Sequence, residues 1–88
     1  MIRRTITIDN TLGLHARPAA LFVQTAARYM CDIYVEREDI RVSGKSIMGI
    51  MMLAAEQGSR ITIEADGEDA EDCLDALTAL INSDFEAD

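Results

Sequence analysis

The sequence predicts an α+β fold: an open-faced β-sandwich in the order β-α-β-β-α-β-α, with a four-stranded antiparallel sheet covered on one face by three helices. Three observations predict it. Four segments alternate apolar and polar residues, the mark of half-buried strands. Two segments carry apolar residues at helical spacing, and a third is a short apolar run behind a good helix cap. Every strand has one apolar and one polar side, so the helices cover one sheet face and water meets the other.

The first strand is Ile2 to Ile8, with Ile2, Ile6 and Ile8 on one side and Arg3, Thr5 and Thr7 on the other. Asp9-Asn10-Thr11 is turn chemistry. Leu12 to Leu14, with Gly13 as a flexible point, leads to His15. A helix follows from Pro18 to Tyr29, because the fixed φ and missing N–H of Pro suit a first turn. Ala19, Phe22, Val23, Ala26 and Met30 form its core stripe, and Arg17, Ala20, Leu21, Gln24 and Arg28 fall opposite.

Cys31 to Arg37 alternates with Cys31, Ile33 and Val35 inward, Glu38-Asp39 turns, and Ile40 to Val42 returns as a short strand. Ser46 is the expected N-cap of a second helix, Ile47 to Ala54. A short surface helix buries only one stripe, so this apolar segment is either buried on several sides or an exposed, adaptable binding surface. Glu56 to Ser59 turns, and Arg60 to Ala65 is a strand with Ile61, Ile63 and Ala65 on one side. Asp69 is the expected N-cap of the last helix, with Glu71 and Asp72 in its first turn. Ala70, Cys73, Leu74, Leu77, Leu80 and Ile81 give the cleanest helical period in the chain. The tail from Asn82 to Asp88 is expected to fray.

The 88 residues, 49% hydrophobic and 27% charged, suit a single soluble domain spanning 1–88. No apolar run approaches the length of a membrane span. Met1-Ile2-Arg3-Arg4-Thr5 enters alternation directly rather than a signal-peptide block, so a cytoplasmic location is expected. Cys31 and Cys73 fall in element interiors and are expected to be reduced core thiols. With one His and no CxxC, a metal site is poorly supported, and no cofactor is expected. The net charge of −8 is unevenly spread: ten acidic and no basic residues lie from Ile61 to Asp88. That balance disfavours nucleic acid as a partner. Arg17, Arg28 and Lys45 leave the His15 end less negative.

The candidate site is Gly13-Leu14-His15-Ala16-Arg17-Pro18, which holds the only His and the only Pro. Free first-turn N–H groups at the positive end of a helix dipole suit an anion. The forked donors of Arg17 suit phosphate. A histidine beside both can carry a phosphoryl group on a ring nitrogen. In isolation, a single histidine at a helix start is more often a cap or a surface residue; the rest of the chain raises the chemical reading.

Two segments resemble one family. Gly13-Leu14-His15-Ala16-Arg17-Pro18-Ala19-Ala20 resembles the active-site segment of HPr, the histidine phosphocarriers of the phosphoenolpyruvate-dependent phosphotransferase system. Gly44-Lys45-Ser46-Ile47-Met48-Gly49-Ile50-Met51-Met52-Leu53 resembles that family's regulatory serine segment. The resemblance covers essentially the entire chain and implies the strand order 1-4-2-3. It further implies that His15 takes a phosphoryl group on Nδ1 from phosphorylated enzyme I and passes it to an enzyme IIA domain. Arg17 and the backbone amides of Ala16 and Arg17, ahead of Pro18, would hold the phosphoryl oxygens. Ser46 would be phosphorylated by an HPr kinase/phosphorylase. Ala20, Leu21, Ile47, Met48 and Met51 would form the docking surface, which turns the second helix toward partner binding. The implied protein is a monomeric covalent carrier without turnover of its own.

Gln24 and Ala27 stand where sugar-dedicated members commonly have a basic residue, and Ala79 to Phe85 resembles the nitrogen-related branch, NPr. The alternative is therefore a regulatory interaction module of a nitrogen-related or incomplete phosphotransferase system, with Ser46 gating binding and His15 idle. A ligand-sensing domain on a similar sandwich is disfavoured, since no Gly-rich phosphate loop is visible.

Overall fold

The computed structural model describes residues 1–11 and 13–85. The elements are β1 (Ile2–Thr7), α1 (Ala16–Ala26), β2 (Asp32–Arg37), β3 (Ile40–Ser43), α2 (Ile47–Met52), β4 (Arg60–Asp66) and α3 (Ala70–Asn82). The strands form one antiparallel sheet in the order β1-β4-β2-β3, as expected. The register pairs Ile6 with Ile61 and sets Ile63 beside Val35, and Ala65 beside Ile33. All six side chains lie in the core with Phe22 of α1, Ile50 of α2, and Leu74, Leu77 and Ile81 of α3. The helices cover that face; the other is open.

Several boundaries differ from the sequence expectation. The first helix starts at Ala16, and Pro18 is its third residue rather than its first. All three opening positions lack an internal acceptor for their N–H, so Pro costs nothing at any of them. The same helix ends at Ala26, where tight turns from Thr25 O to Arg28 N and Ala26 O to Tyr29 N take over. Met30 therefore lies off the helix and is 92% exposed, while Thr25 joins the buried stripe and Val23 is half-buried. Ile2, assigned to the core side of β1, lies near the sheet corner and is exposed. The second helix stops at Met52, two residues early.

The open face is not uniformly wet. Glu64 of β4 is only 3% exposed. Arg41 of β3 covers it, with Nη1 2.8 Å from Glu64 Oε1 and 3.0 Å from Glu36 Oε2. The Arg41 guanidinium also lies 4.5 Å from the centre of the Tyr34 ring. Alternation alone puts Glu64 outward, and it does point that way; the cover comes from Arg41, reaching across β2.

The segment just after α3, through Phe85, is also more regular than expected. Asp84 adopts φ 58° just past α3. Its N–H reaches Ile81 O at 3.1 Å, and the Phe85 N–H reaches Leu80 O at 2.9 Å. These two bonds form a Schellman ending, which turns Phe85 back into the core. Leu12 and the last part of the tail, both assigned above, lie outside the described residues.

Cys31 and Cys73 are free and buried, as expected. Burial pushes the Cys73 thiol up to about 12 and also raises Cys31. Among the described residues no helix is long and apolar enough to cross a membrane.

Candidate functional site

The segment before His15 is held at both ends. Asn10 is buried, and its Nδ2 donates to Gly13 O at 2.7 Å while the Gly13 N–H donates to Asn10 O at 3.1 Å. Gly13 sits at φ 63°, and a side chain there would collide with the Ala55 carbonyl. That close approach lets the Leu14 N–H donate to Ala55 O at 2.8 Å. The loop after α2 thus anchors the residue immediately before His15. Asn10 was not singled out in the sequence; its signal was the Asn-x-x-Gly spacing of a side-chain-supported turn.

His15 is the N-cap of α1, with extended φ −75° and ψ −173°. Its carbonyl accepts the Ala19 N–H at 2.8 Å, but its side chain makes no capping bond. The ring is therefore not used in closing the helix, and it is exposed. The backbone N–H groups of Ala16 and Arg17 occupy the first two helical positions, where no intrahelical acceptor exists. Together with the dipole they form a local anion-binding end.

His15 opens on a cleft of about 260 Å³ lined also by Leu14, Met51, Ala54, Ala55 and Glu56. The sequence reading does not assign Ala54, Ala55 or Glu56 to the site. Ala54 holds φ 49°, in the left-handed region, as the residue that breaks α2. Exposed Arg17 borders a separate cavity of about 340 Å³ with Asn10, Thr11, Pro18, Leu21, Asp84 and Phe85. Among the described residues Arg17 has no ion-pair partner. Its charge is free to meet an incoming anion.

Ser46 is the N-cap of α2, as expected, and its Oγ accepts the Gly49 N–H at 3.1 Å. Gly49 packs against β3: a Cβ there would lie 3.0 Å from Val42 Cβ. This contact seats the helix, which buries Ile50 and, just beyond its end, Leu53. Ile47, Met48, Met51 and Met52 are exposed, so the alternative of a helix buried on several sides is excluded. Arg37 Nη1 donates to Leu53 O at 3.2 Å and caps the other end. Lys45 is less free than its charge suggests, because its Nζ donates to Tyr29 O at 2.7 Å. Ala20 and Leu21 are half-buried, and Leu21 packs partly on the core. The structure brings His15 and Met51 to one cleft and Arg17 and Leu21 to the next. Among the described residues no group of three or more His, Cys, Asp or Glu is placed to hold a metal.

A family model described as the PTS HPr component phosphorylation site matches residues 2–83. The phosphocarrier protein HPr of Neisseria meningitidis serogroup A is 49% identical, over 97% of this chain and 96% of that protein. The crystal structure of HPr-C-His from Thermoanaerobacter tengcongensis superposes with a TM-score of 0.95 at 49% identity, covering 100% of this chain and 99% of that one. A crystal structure of an HPr dimer from the same organism matches at 0.79 and 49% identity, covering 99% and 100%.

Proposed function

The chain belongs to the HPr family of phosphotransferase-system phosphocarriers, and on that premise we propose that His15 accepts a phosphoryl group from phosphorylated enzyme I and passes it to an enzyme IIA domain. The observation that carries this reading is the His15 ring: exposed, free of any capping bond, and one residue ahead of two helix N–H groups with no internal acceptor. A histidine serving only as a cap would use its side chain to close the helix.

Phosphoryl transfer needs positioning and charge stabilisation more than covalent help. Nδ1 of His15 attacks phosphorus as the bond from phosphorus to enzyme I breaks, its electron pair leaving with enzyme I. The N–H groups of Ala16 and Arg17 and the Arg17 guanidinium hold the phosphoryl oxygens, and Pro18 keeps the first turn rigid. The second transfer runs the same step with His15 as the leaving group. The chain acts as a carrier, with enzyme I and enzyme IIA supplying the turnover.

Docking uses Ala20 and Leu21 of α1 and Ile47, Met48 and Met51 of α2; Leu21 lines the hollow beside Arg17 and Met51 the one beside His15. Ser46, target of an HPr kinase/phosphorylase, regulates that surface from its edge. The relay runs in the cytoplasm, and a single chain is the working unit, since His15 must face two partners in turn. The dimeric relative makes this last point one to measure, by sedimentation at assay concentration.

The test is incubation with phosphoenolpyruvate and enzyme I. The expected label sits on His15, is acid-labile and base-stable, and is absent from His15→Ala of unchanged fold. An acid-stable label, or none, overturns the proposal.

A further inference from the structure

We propose that Met48, Met51 and Met52 form a reversible oxidation site through which peroxide lowers the affinity of this chain for enzyme I. This rests on the carrier reading above.

The three thioethers sit at spacings i, i+3 and i+4 on α2, so they make one surface patch. They are 69%, 43% and 65% exposed. Met51 also lines the cleft that His15 opens on. Met48 and Met51 belong to the surface assigned to docking, and Met52 extends it. None lies in the core cluster, which takes Ile50 and Leu53 from this segment.

The oxidisable groups of the chain divide in two. Cys31 and Cys73 are enclosed, and their thiols are held protonated. A thiol reacts as its thiolate, so peroxide finds little to attack there. A thioether needs no deprotonation, and these three are open to solvent, as are Met1 and Met30 outside α2. In the step itself, sulfur takes one oxygen from hydrogen peroxide and is oxidised by two electrons, and the peroxide is reduced to water. Methionine sulfoxide reductases reverse it, with a dithiol oxidised to a disulfide and the oxygen released as water.

The sulfoxide replaces a soft apolar surface with a strong acceptor dipole. On docking, that oxygen loses water without a matching donor. The fold is expected to be untouched, because the sulfur atoms lie outside the core. The readout is therefore a rise in the KM of enzyme I for this chain of roughly tenfold, with the melting temperature unchanged.

The experiment treats the full chain with hydrogen peroxide, quenches it, maps sulfoxides by peptide mass spectrometry, and then measures phosphoryl transfer from enzyme I. Sulfoxide at Met48, Met51 and Met52, a raised KM and recovery after reductase treatment are expected. A triple Met→Leu variant at these positions, whatever its own starting rate, should be changed no further by peroxide. Met30→Leu, at an exposed methionine away from α2, should stay as sensitive as the parent. An unchanged KM with the three sulfoxides present overturns the inference, as does undiminished sensitivity of the triple variant or a lowered melting temperature. An untreated chain that takes no phosphoryl group overturns the carrier reading itself, which the untreated arm reports separately.

Discussion

Asp69 and Cys31 are joined across the molecule: the Asp69 carboxylate accepts the Cys31 N–H at 2.9 Å and, through its other oxygen, the Met30 N–H at 2.7 Å. Asp69 stands at the N-cap of α3 as the sequence predicts, yet its side chain makes no bond to its own helix. It ties the start of β2 to the start of α3. These bonds, that of Met30 first, hold its carboxyl below the usual value. A depressed carboxyl stabilises the fold fully above the ordinary value of about 3.9, and the contribution is lost as pH falls through the lower folded value. Asp69→Asn should lower the melting temperature at pH 7 and flatten its decline on acidification. Thermal melts of both proteins from neutral to strongly acidic pH check this; parallel curves would refute it.

Arg17 has no ion-pair partner among the described residues, so its removal breaks no ion pair. Arg17→Ala should melt as the parent does and slow transfer from enzyme I by roughly a hundredfold, the scale of losing one preorganised donor. Arg17→Lys should recover part of the loss, since the charge returns without the fork. Rapid-quench kinetics decide it, and a native rate in Arg17→Ala would remove Arg17 from the site.

Leu77 is fully buried and Met48 is 69% exposed. Leu77→Ala should cost about 2–5 kcal/mol by denaturant unfolding. Met48→Ala should stay within about 0.5 kcal/mol of the parent while raising the KM of enzyme I for this chain. Equal destabilisation by the two would make α2 a core helix and end its assignment to docking.

Ser46→Asp separates folding from partner binding. Asp caps as well as Ser and adds a charge that the helix dipole favours. The melting temperature should be unchanged or slightly higher, whereas Ser46→Ala, which loses the bond to Gly49, should cost about 1 kcal/mol. Transfer to His15 should slow in Ser46→Asp, through weaker binding, because the added anion must be desolvated beside an apolar contact and repels an acidic partner surface. The slowing should shrink in high salt. A low-melting Ser46→Asp with native transfer would reduce Ser46 to a cap.

The parts of this fold legible in the sequence are those where one local rule decides. The α3 period is visible because one stripe, Cys73 to Ile81, meets one core. His15 and Ser46 are visible because each immediately precedes a helix. Met30 departs from the expected core stripe because periodicity cannot say where a helix stops, and α1 stops at Ala26. Asp69 sits where capping rules put it, but its bonds go to Met30 and Cys31, 39 and 38 residues away. The cover over Glu64 likewise comes from Arg41 on another strand, beyond the reach of any local pattern. Phe85 had a readable signal, an aromatic residue shortly after a helix end, which a tail rich in acidic residues obscured.

The bond from the Leu14 N–H to Ala55 O gives α2 a second duty. On the proposed reading its outer side meets partners, while the loop that ends it sets the height of the residue before His15. Reactivity and partner choice are therefore not separable modules in this chain. A chimera that imports residues 46–56 from a relative to change the acceptor would also shift the backbone under His15 and alter the intrinsic transfer rate. Retargeting such a carrier is better attempted at Ile47 and Met48, far from the Ala55 carbonyl in the chain, than by exchanging the helix with its loop.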